Sequence, residues 1–149
     1  MTTAVRLASA FDVERVAPLL DAYRQFYAQP ADIDCARIFL RDRFAHQESV
    51  VLIAADDAGA AIGFAQLYPL FSTVRAARTY LLNDLFVVPL ARRRGVAGQL
   101  LAAAVDFARA NGAASLSLQT ANDNEPARAL YESQGWVREE YFAEYTLAV

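Results

Sequence analysis

The run Val87-Val88-Pro89-Leu90-Ala91-Arg92-Arg93-Arg94-Gly95-Val96-Ala97-Gly98 reads as a strand end, an arginine-rich turn and a glycine at the mouth of a helix. A helix N-terminus offers unpaired backbone N–H groups and about half a positive charge, which suits a phosphate. Gly95, Ala97 and Gly98 keep side chains from standing between a diphosphate and those amides. Arg92, Arg93 and Arg94 add bidentate donors at the rim. The chemistry expected here is the binding of a phosphorylated organic cofactor, by the amides of Arg93 through Gly98 and by the guanidinium of at least one arginine.

Composition bounds what else the chain can do. Its 149 residues suit one domain over 1–149, with no linker-like or low-complexity stretch. A net charge of −3 argues against a general nucleic-acid binder. All 14 basic residues are arginine, which codon bias in a GC-rich genome explains. With one cysteine, Cys35, and one histidine, His46, neither an intrachain disulfide nor a metal site is expected. Cys35 reads as buried filler on a helix. No apolar run reaches the ~20 residues of a membrane span and no signal-peptide pattern opens the chain, so a soluble cytoplasmic protein is expected.

These residues must be positioned by the elements around them. A short strand is expected at Val5–Ala8, then a helix capped by Asp12 with Val13, Val16, Leu19, Leu20 and Tyr23 on one face. Pro18 should kink that helix or delay its start to Arg15. A second helix follows from Asp32. Ser49–Ala55 and Ala61–Tyr68 read as strands joined by the turn Asp56-Asp57-Ala58-Gly59, with Pro69–Ala77 a loop or strand extension. Thr79–Val88 is a third long strand and Val96–Asn111 an apolar helix stopped at Asn111-Gly112. Ser115–Thr120 is a strand, Pro126–Gln134 a short helix, and Trp136–Arg138 and Tyr141–Leu147 terminal strands. The order β-α-α-β-β-β-α-β-α-β-β predicts an α/β fold with a mixed sheet and helices on its faces.

Arg92-x-x-Gly95-x-Ala97 at a strand-to-helix junction resembles the acetyl-CoA diphosphate loop of the GNAT superfamily of N-acetyltransferases, whose pattern is Gln/Arg-x-x-Gly-x-Gly/Ala. Asn124-Glu125-Pro126-Ala127-Arg128-Ala129-Leu130-Tyr131-Glu132-Ser133-Gln134-Gly135-Trp136 resembles that family's later block, Asn-x-x-Ala-x-x-Leu-Tyr-x-x-x-Gly-Phe. The two blocks stand in the family's order and spacing, and the likeness spans essentially the whole chain. It implies a mostly antiparallel central sheet. Tyr80-Leu81-Leu82-Asn83-Asp84-Leu85-Phe86-Val87 together with Asn124-Glu125-Pro126 looks most like the diamine and thialysine acetyltransferases.

Moving an acetyl group from a thioester to an amine needs a neutral amine, a donor for the developing oxyanion and a proton for the leaving thiolate. The resemblance implies Tyr131 as the general acid at the sulfur. It implies a backbone N–H from Phe86-Val87 for the oxyanion, where the strand carrying Leu85, Phe86 and Val87 splays from its neighbour, and a bond from Asn124 to the cofactor beside its capping role. For the base, diamine-type relatives carry a Glu where this chain has Asn83, and asparagine takes no proton at neutral pH. Asp84 faces the other side of a regular strand. So Asp84 acts through a bulge or a water chain, or another carboxylate does, or water alone removes the proton. Tyr23, Phe26, Tyr27, Tyr68 and Tyr80, with Asn83 and Asp84, are candidates for the acceptor pocket. The partners expected are a small-molecule or peptide amine and a second copy in a homodimer, with acetyl-CoA as co-substrate. The competing readings are a non-catalytic acyl-CoA-binding regulatory domain of the same fold and a dinucleotide-binding module. The dinucleotide module needs a Gly-x-Gly-x-x-Gly that Arg93 interrupts.

Overall fold

Five strands and four helices account for the ordered architecture of this computed structural model, which describes residues 2–149. The chain divides into two compact units, one ending at Gln119 and one starting at Thr120. The first holds β1 (Ala4–Leu7), α1 (Val13–Phe26), α2 (Ile33–Ala45), β2 (Val50–Ala55), β3 (Ala61–Ser72), β4 (Ala77–Val87), α3 (Val96–Ala110) and β5 (Ser115–Leu118). Its sheet runs in the order β1-β2-β3-β4-β5. The first three pairings are antiparallel and β4–β5 is parallel. This is the mixed, mostly antiparallel sheet expected.

Strand alternation assigns the two faces. Phe64 on β3 and Phe86 on β4 are cross-strand partners, and both rings meet Tyr23 of α1 edge-on, at 5.9 and 6.1 Å between centroids. Val51, Ile53, Phe64 and Phe86 bury that face under Val16, Leu20 and Leu40 of α1 and α2. On the other face an ideal Cβ at Gly63 would meet Leu100 of α3, and Tyr80 packs its ring 5.4 Å from Phe107 of α3. Helices therefore cover both faces of the sheet.

Several local expectations are corrected. Helix α1 starts at Val13, not Arg15, and carries Pro18 within it. Asp12 does not cap α1 through its side chain. It closes a capping box with Ser9 around the short 3-10 turn Ala10–Asp12, and it pairs with Arg6 of β1 at 2.7 Å. Cys35 is exposed rather than buried. The Pro69–Ala77 stretch resolves into the end of β3, a turn and the start of β4. Pro69 is tolerated inside β3 because the β2 ladder has already ended at Val50–Leu67, so its missing N–H leaves no β2 carbonyl unpaired.

The second unit holds α4 (Glu125–Ser133). No strand follows it among the described residues, so the expected terminal strands Trp136–Arg138 and Tyr141–Leu147 are absent. Side-chain propensity is only half of a strand. The other half is a backbone ladder, and these residues make none. No helix among the described residues is long and apolar enough to cross a membrane.

Gly63 is where this packing tolerates least. A Cβ there would lie 2.9 Å from the Phe86 carbonyl oxygen and 3.3 Å from Leu100 Cδ1. Gly63→Ala should destabilise the protein by about 1–3 kcal/mol, read as a lower urea midpoint with an unchanged m-value. An unchanged midpoint would show that β4 yields at this point.

Candidate active site

Between Gln66 and Leu67 the β3–β4 ladder shifts register. Gln66 faces Asp84, whereas Leu67 faces Leu82, so Asn83 is one extra residue in β4. This bulge reverses the alternation of the strand. Tyr80 and Leu82 belong to the α3 face, while Asp84 and Phe86, only two and four residues beyond Leu82, belong to the α1 face. Asp84 is therefore 6% exposed, beside Tyr23.

The neighbours of Asp84 are neutral. Gln66 Nε2 donates to its Oδ2 at 2.7 Å, Asn83 Nδ2 donates to its Oδ1 at 3.0 Å, and the Tyr23 hydroxyl reaches the same carboxylate. Burial raises the Asp84 pKa above the ordinary carboxylate value, and these hydrogen bonds only partly oppose it. Burial, then the Asp84 charge, pushes the Tyr68 hydroxyl up to about 12 and the Tyr23 hydroxyl higher still. Gln66 Nε2 also donates to the Tyr68 hydroxyl at 3.2 Å. Its Oε1 is buried with no hydrogen-bond partner among the described residues, a condition that typically costs about 1–3 kcal/mol. Gln66 was missed in the sequence reading. Its signal was available: it is the one side-chain amide in the apolar run Ala61–Phe71.

On its other edge β4 loses its neighbour. The β5 ladder stops at Leu82–Leu118, so among the described residues no strand pairs with Asn83 to Val87 on that side. Val88 N–H bonds to the Ile62 carbonyl at 2.9 Å, which sets the phase of the antiparallel ladder. Hydrogen-bonded pairs alternate, so Phe86 turns its N–H to β3, while Leu85 and Val87 turn theirs to the open edge. Of the expected oxyanion donors, Val87 is thus the one aimed outward. Its carbonyl is taken by Arg92 Nε at 2.9 Å, and the Arg92 guanidinium lies 5.7 Å from the Phe86 ring. Arg92 is folded back onto the strand rather than held out at the rim.

After a 3-10 turn at Pro89–Ala91, Arg93 and Gly95 both take positive φ, +61° and +77°. Gly95 is the N-cap of α3, and the first helical bond runs from Gln99 N–H to the Gly95 carbonyl at 3.0 Å. The amides of Val96, Ala97 and Gly98 precede that bond. A Cβ on Gly95 would meet nothing within 4 Å, so the conformation demands glycine there and not the packing. Arg93, Arg94 and Gly95 are exposed, and Val96 buries its side chain.

In the second unit Asn124 caps α4, its Oδ1 accepting from Ala127 N–H at 3.3 Å. The helix stops in a Schellman motif: Gly135 N–H bonds to Glu132 and Trp136 N–H to Tyr131, both at 3.1 Å, with Gly135 at φ +88°. The accompanying side-chain contact sets the Tyr131 ring 6.2 Å from that of Trp136. The block Leu-Tyr-x-x-x-Gly-Trp is thus a helix stop that braces the tyrosine.

Of the acceptor candidates, the fold brings together Tyr23, Asn83, Asp84 and, through Gln66, Tyr68. Tyr27 and Phe26 continue from Tyr23 along the end of α1, with ring centroids 5.0 Å (Tyr23–Tyr27) and 5.3 Å (Phe26–Tyr27) apart, and both are exposed. Tyr80 is not among them, because the bulge leaves it on the α3 face.

The model of the acetyltransferase (GNAT) family matches residues 16–136. An uncharacterised N-acetyltransferase of Bacillus subtilis (strain 168), YhfO, is 49% identical over 145 residues, covering 97% of both chains. A crystal structure of a probable acetyltransferase is 37% identical with a TM-score of 0.93, covering 98% of this chain and 97% of that one. An aminoglycoside N-acetyltransferase solved with CoA, AAC(6')-Iy, shares the fold at a TM-score of 0.80 and 21% identity, over 99% of this chain and 96% of its own. None of the three carries a diamine or thialysine name. With its fold, its loop and its relatives in agreement, this chain belongs to the acetyltransferase (GNAT) family and is an acyltransferase.

Proposed function

We propose that residues 1–149 work as one acetyl-CoA-dependent N-acetyltransferase domain that moves an acetyl group to a primary amine by direct attack in a ternary complex. The observation that carries this reading is Asp84, a carboxylate buried among neutral donors next to the open edge of β4. A regulatory domain that only held an acyl-CoA would have no use for an un-neutralised buried carboxylate at that point. The relatives' names and the aminoglycoside enzyme's complex with CoA support the same choice.

In this reading the amides of Arg93 to Gly98, with Arg93 and Arg94, hold the diphosphate of acetyl-CoA, and Asn124 adds a contact. The Val87 N–H steadies the thioester oxygen as it gains charge, because a fixed donor needs no reorganisation during the reaction. Asp84 takes the proton from the amine, and Tyr131 supplies one to the departing sulfur. The bulge is one of the alternatives left open in the sequence, and it supports Asp84 as the base without a Glu at position 83. The narrower likeness to diamine and thialysine enzymes is not carried over, since Asn83 here serves Asp84 as a hydrogen-bond donor. The exposed apolar side chains of Val137, Tyr141, Phe142, Tyr145 and Leu147 support a homodimer that covers them, in the cytoplasm.

An amine panel with acetyl-CoA and detection of released thiol tests the activity. Turnover should appear with at least one primary amine, and firm CoA binding without turnover on any amine would favour the regulatory domain. Tyr131→Phe should lower kcat by about 10²-fold or more with CoA affinity little changed. Asp84→Asn should lower kcat/KM by about 10²- to 10⁴-fold and abolish an acid limb lying above the ordinary carboxylate range.

Asp84 also predicts a stability effect of definite sign. Its folded-state pKa is raised, so the folded protein holds this proton more tightly than the unfolded chain. The stabilisation is present at low pH and lost as pH rises through the folded value. Asp84→Asn should therefore melt at or above the wild-type temperature at pH 7, and the difference should shrink on acidification. A variant that melts lower at pH 7 and recovers at acid pH would reverse the assignment.

A further inference from the structure

Gln66 is 1% exposed and stands directly opposite Asp84. Both hydrogens of its amide are committed, one to Asp84 Oδ2 at 2.7 Å and one to the Tyr68 hydroxyl at 3.2 Å. The amide cannot be turned over. A flip would set a carbonyl oxygen against a carboxylate oxygen, two acceptors with no proton between them. So Oε1 is held where it is, buried and without a donor among the described residues.

Asn83 Nδ2 gives one hydrogen to Oδ1 at 3.0 Å, and the Tyr23 hydroxyl lies toward the same carboxylate. What the cluster still offers is acceptor capacity, on Gln66 Oε1 and on the remaining lone pairs of Asp84. Gln66 Oε1 in particular lacks a donor among the described residues. A neutral primary amine brings two, and its lone pair stays free for the thioester carbon.

We infer that Gln66 Oε1 and Asp84 together seat the acceptor's amino group, with Gln66 reading the second N–H and so selecting primary amines over N-alkylated amines and alcohols. The inference rests on the reading of Asp84 as the base. In the step itself the nitrogen lone pair forms the new C–N bond and the C–S pair leaves with sulfur. One amine proton passes to Asp84, and sulfur receives a proton from the Tyr131 hydroxyl. The other N–H remains on Gln66 throughout. A secondary amine or an alcohol has only one hydrogen, so it can satisfy the base or Gln66 but not both.

The test compares an accepted primary amine with its N-methyl derivative and the matching alcohol, following thiol release from acetyl-CoA. Wild type should favour the primary amine by about 10- to 100-fold in kcat/KM, the weight of one hydrogen bond at a reacting amine. Gln66→Met keeps the side-chain length and removes the acceptor. Loss of the Nε2 bond to Asp84 weighs on both substrates alike, whereas only the primary amine loses a contact to Oε1. The ratio should therefore fall to within a few-fold, chiefly through a raised KM for the primary amine. A folded Gln66→Met enzyme that keeps the wild-type ratio overturns the inference. Should that variant fail to fold, wild type alone decides, because equal use of the primary and N-methyl amines also overturns it. Absence of turnover with every amine is a different failure, since it removes the enzymatic reading itself.

Discussion

A single residue, Asn83, gives β4 one more position than β3 over the same length of ladder, and the site depends on it. Without the bulge, Asp84 would follow the alternation of Tyr80 and Leu82 and lie on the opposite side of the strand from Phe86's present neighbours. With it, Tyr80 meets Phe107 on α3 while Asp84 and Phe86 meet Tyr23 on α1. The extra residue also twists the strand at the point where pairing with β5 ends, so a buried carboxylate and an unpaired backbone edge fall within three residues of each other. Bulges that re-aim a side chain and end a ladder are a common device beside active sites, and both effects are present here.

The turn that opens α3 is tied to that edge by Arg92. Its Nε holds the Val87 carbonyl and its guanidinium lies over Phe86, so the turn that begins α3 cannot shift without disturbing the end of β4. This separates three arginines that look equivalent in sequence. All three are exposed, but Arg92 is bonded to the end of β4. Arg93 and Gly95 both take positive φ, a kind of backbone turn that can present successive amides to an anion. In the proposed reading, Arg92 bears on the distance between the two ends of the acyl donor more than on either end alone.

The parts of this structure that were legible in sequence are those whose causes are local. Gly95, the Asn111-Gly112 stop, the Asn124 cap and Gly135 each need a backbone conformation or a cap that only a few residue types supply, so residue type revealed them. The alternating and helical patterns gave the faces of α1, β2 and α3 for the same reason. What escaped was set by partners distant in sequence. The bulge stood only as one alternative for Asp84, because it is a mismatch between two strands that β4 alone cannot decide. Asp12 read as a cap because its partner Arg6 lies on β1. Helices α1 and α2 end with Ala28 and Gln47 at φ +61° and +52°, without the glycine that usually announces such a stop. The terminal segment had strand-forming side chains, but strand formation is decided by a ladder partner and not by propensity.

Two carboxylates with equally little exposed surface, Asp12 near the rim and Asp84 set much deeper, show how depth and partners together assign a role. Asp12 takes a bidentate pair of bonds from Arg6, at 2.7 and 2.9 Å, and Arg6 brings its pKa down to about 2. A carboxylate so neutralised holds its negative charge at any working pH and serves structure, here by pinning β1 to the entry of α1. Asp84 receives bonds only from neutral groups, so burial prevails and its pKa moves the other way. A carboxylate with a raised pKa binds a proton more readily than an ordinary one, the direction that suits the proposed base. An arginine at Asn83 or Gln66 would have made the second site as inert as the first. The neutrality of the donors around Asp84 is therefore the chemical condition for a base at this position.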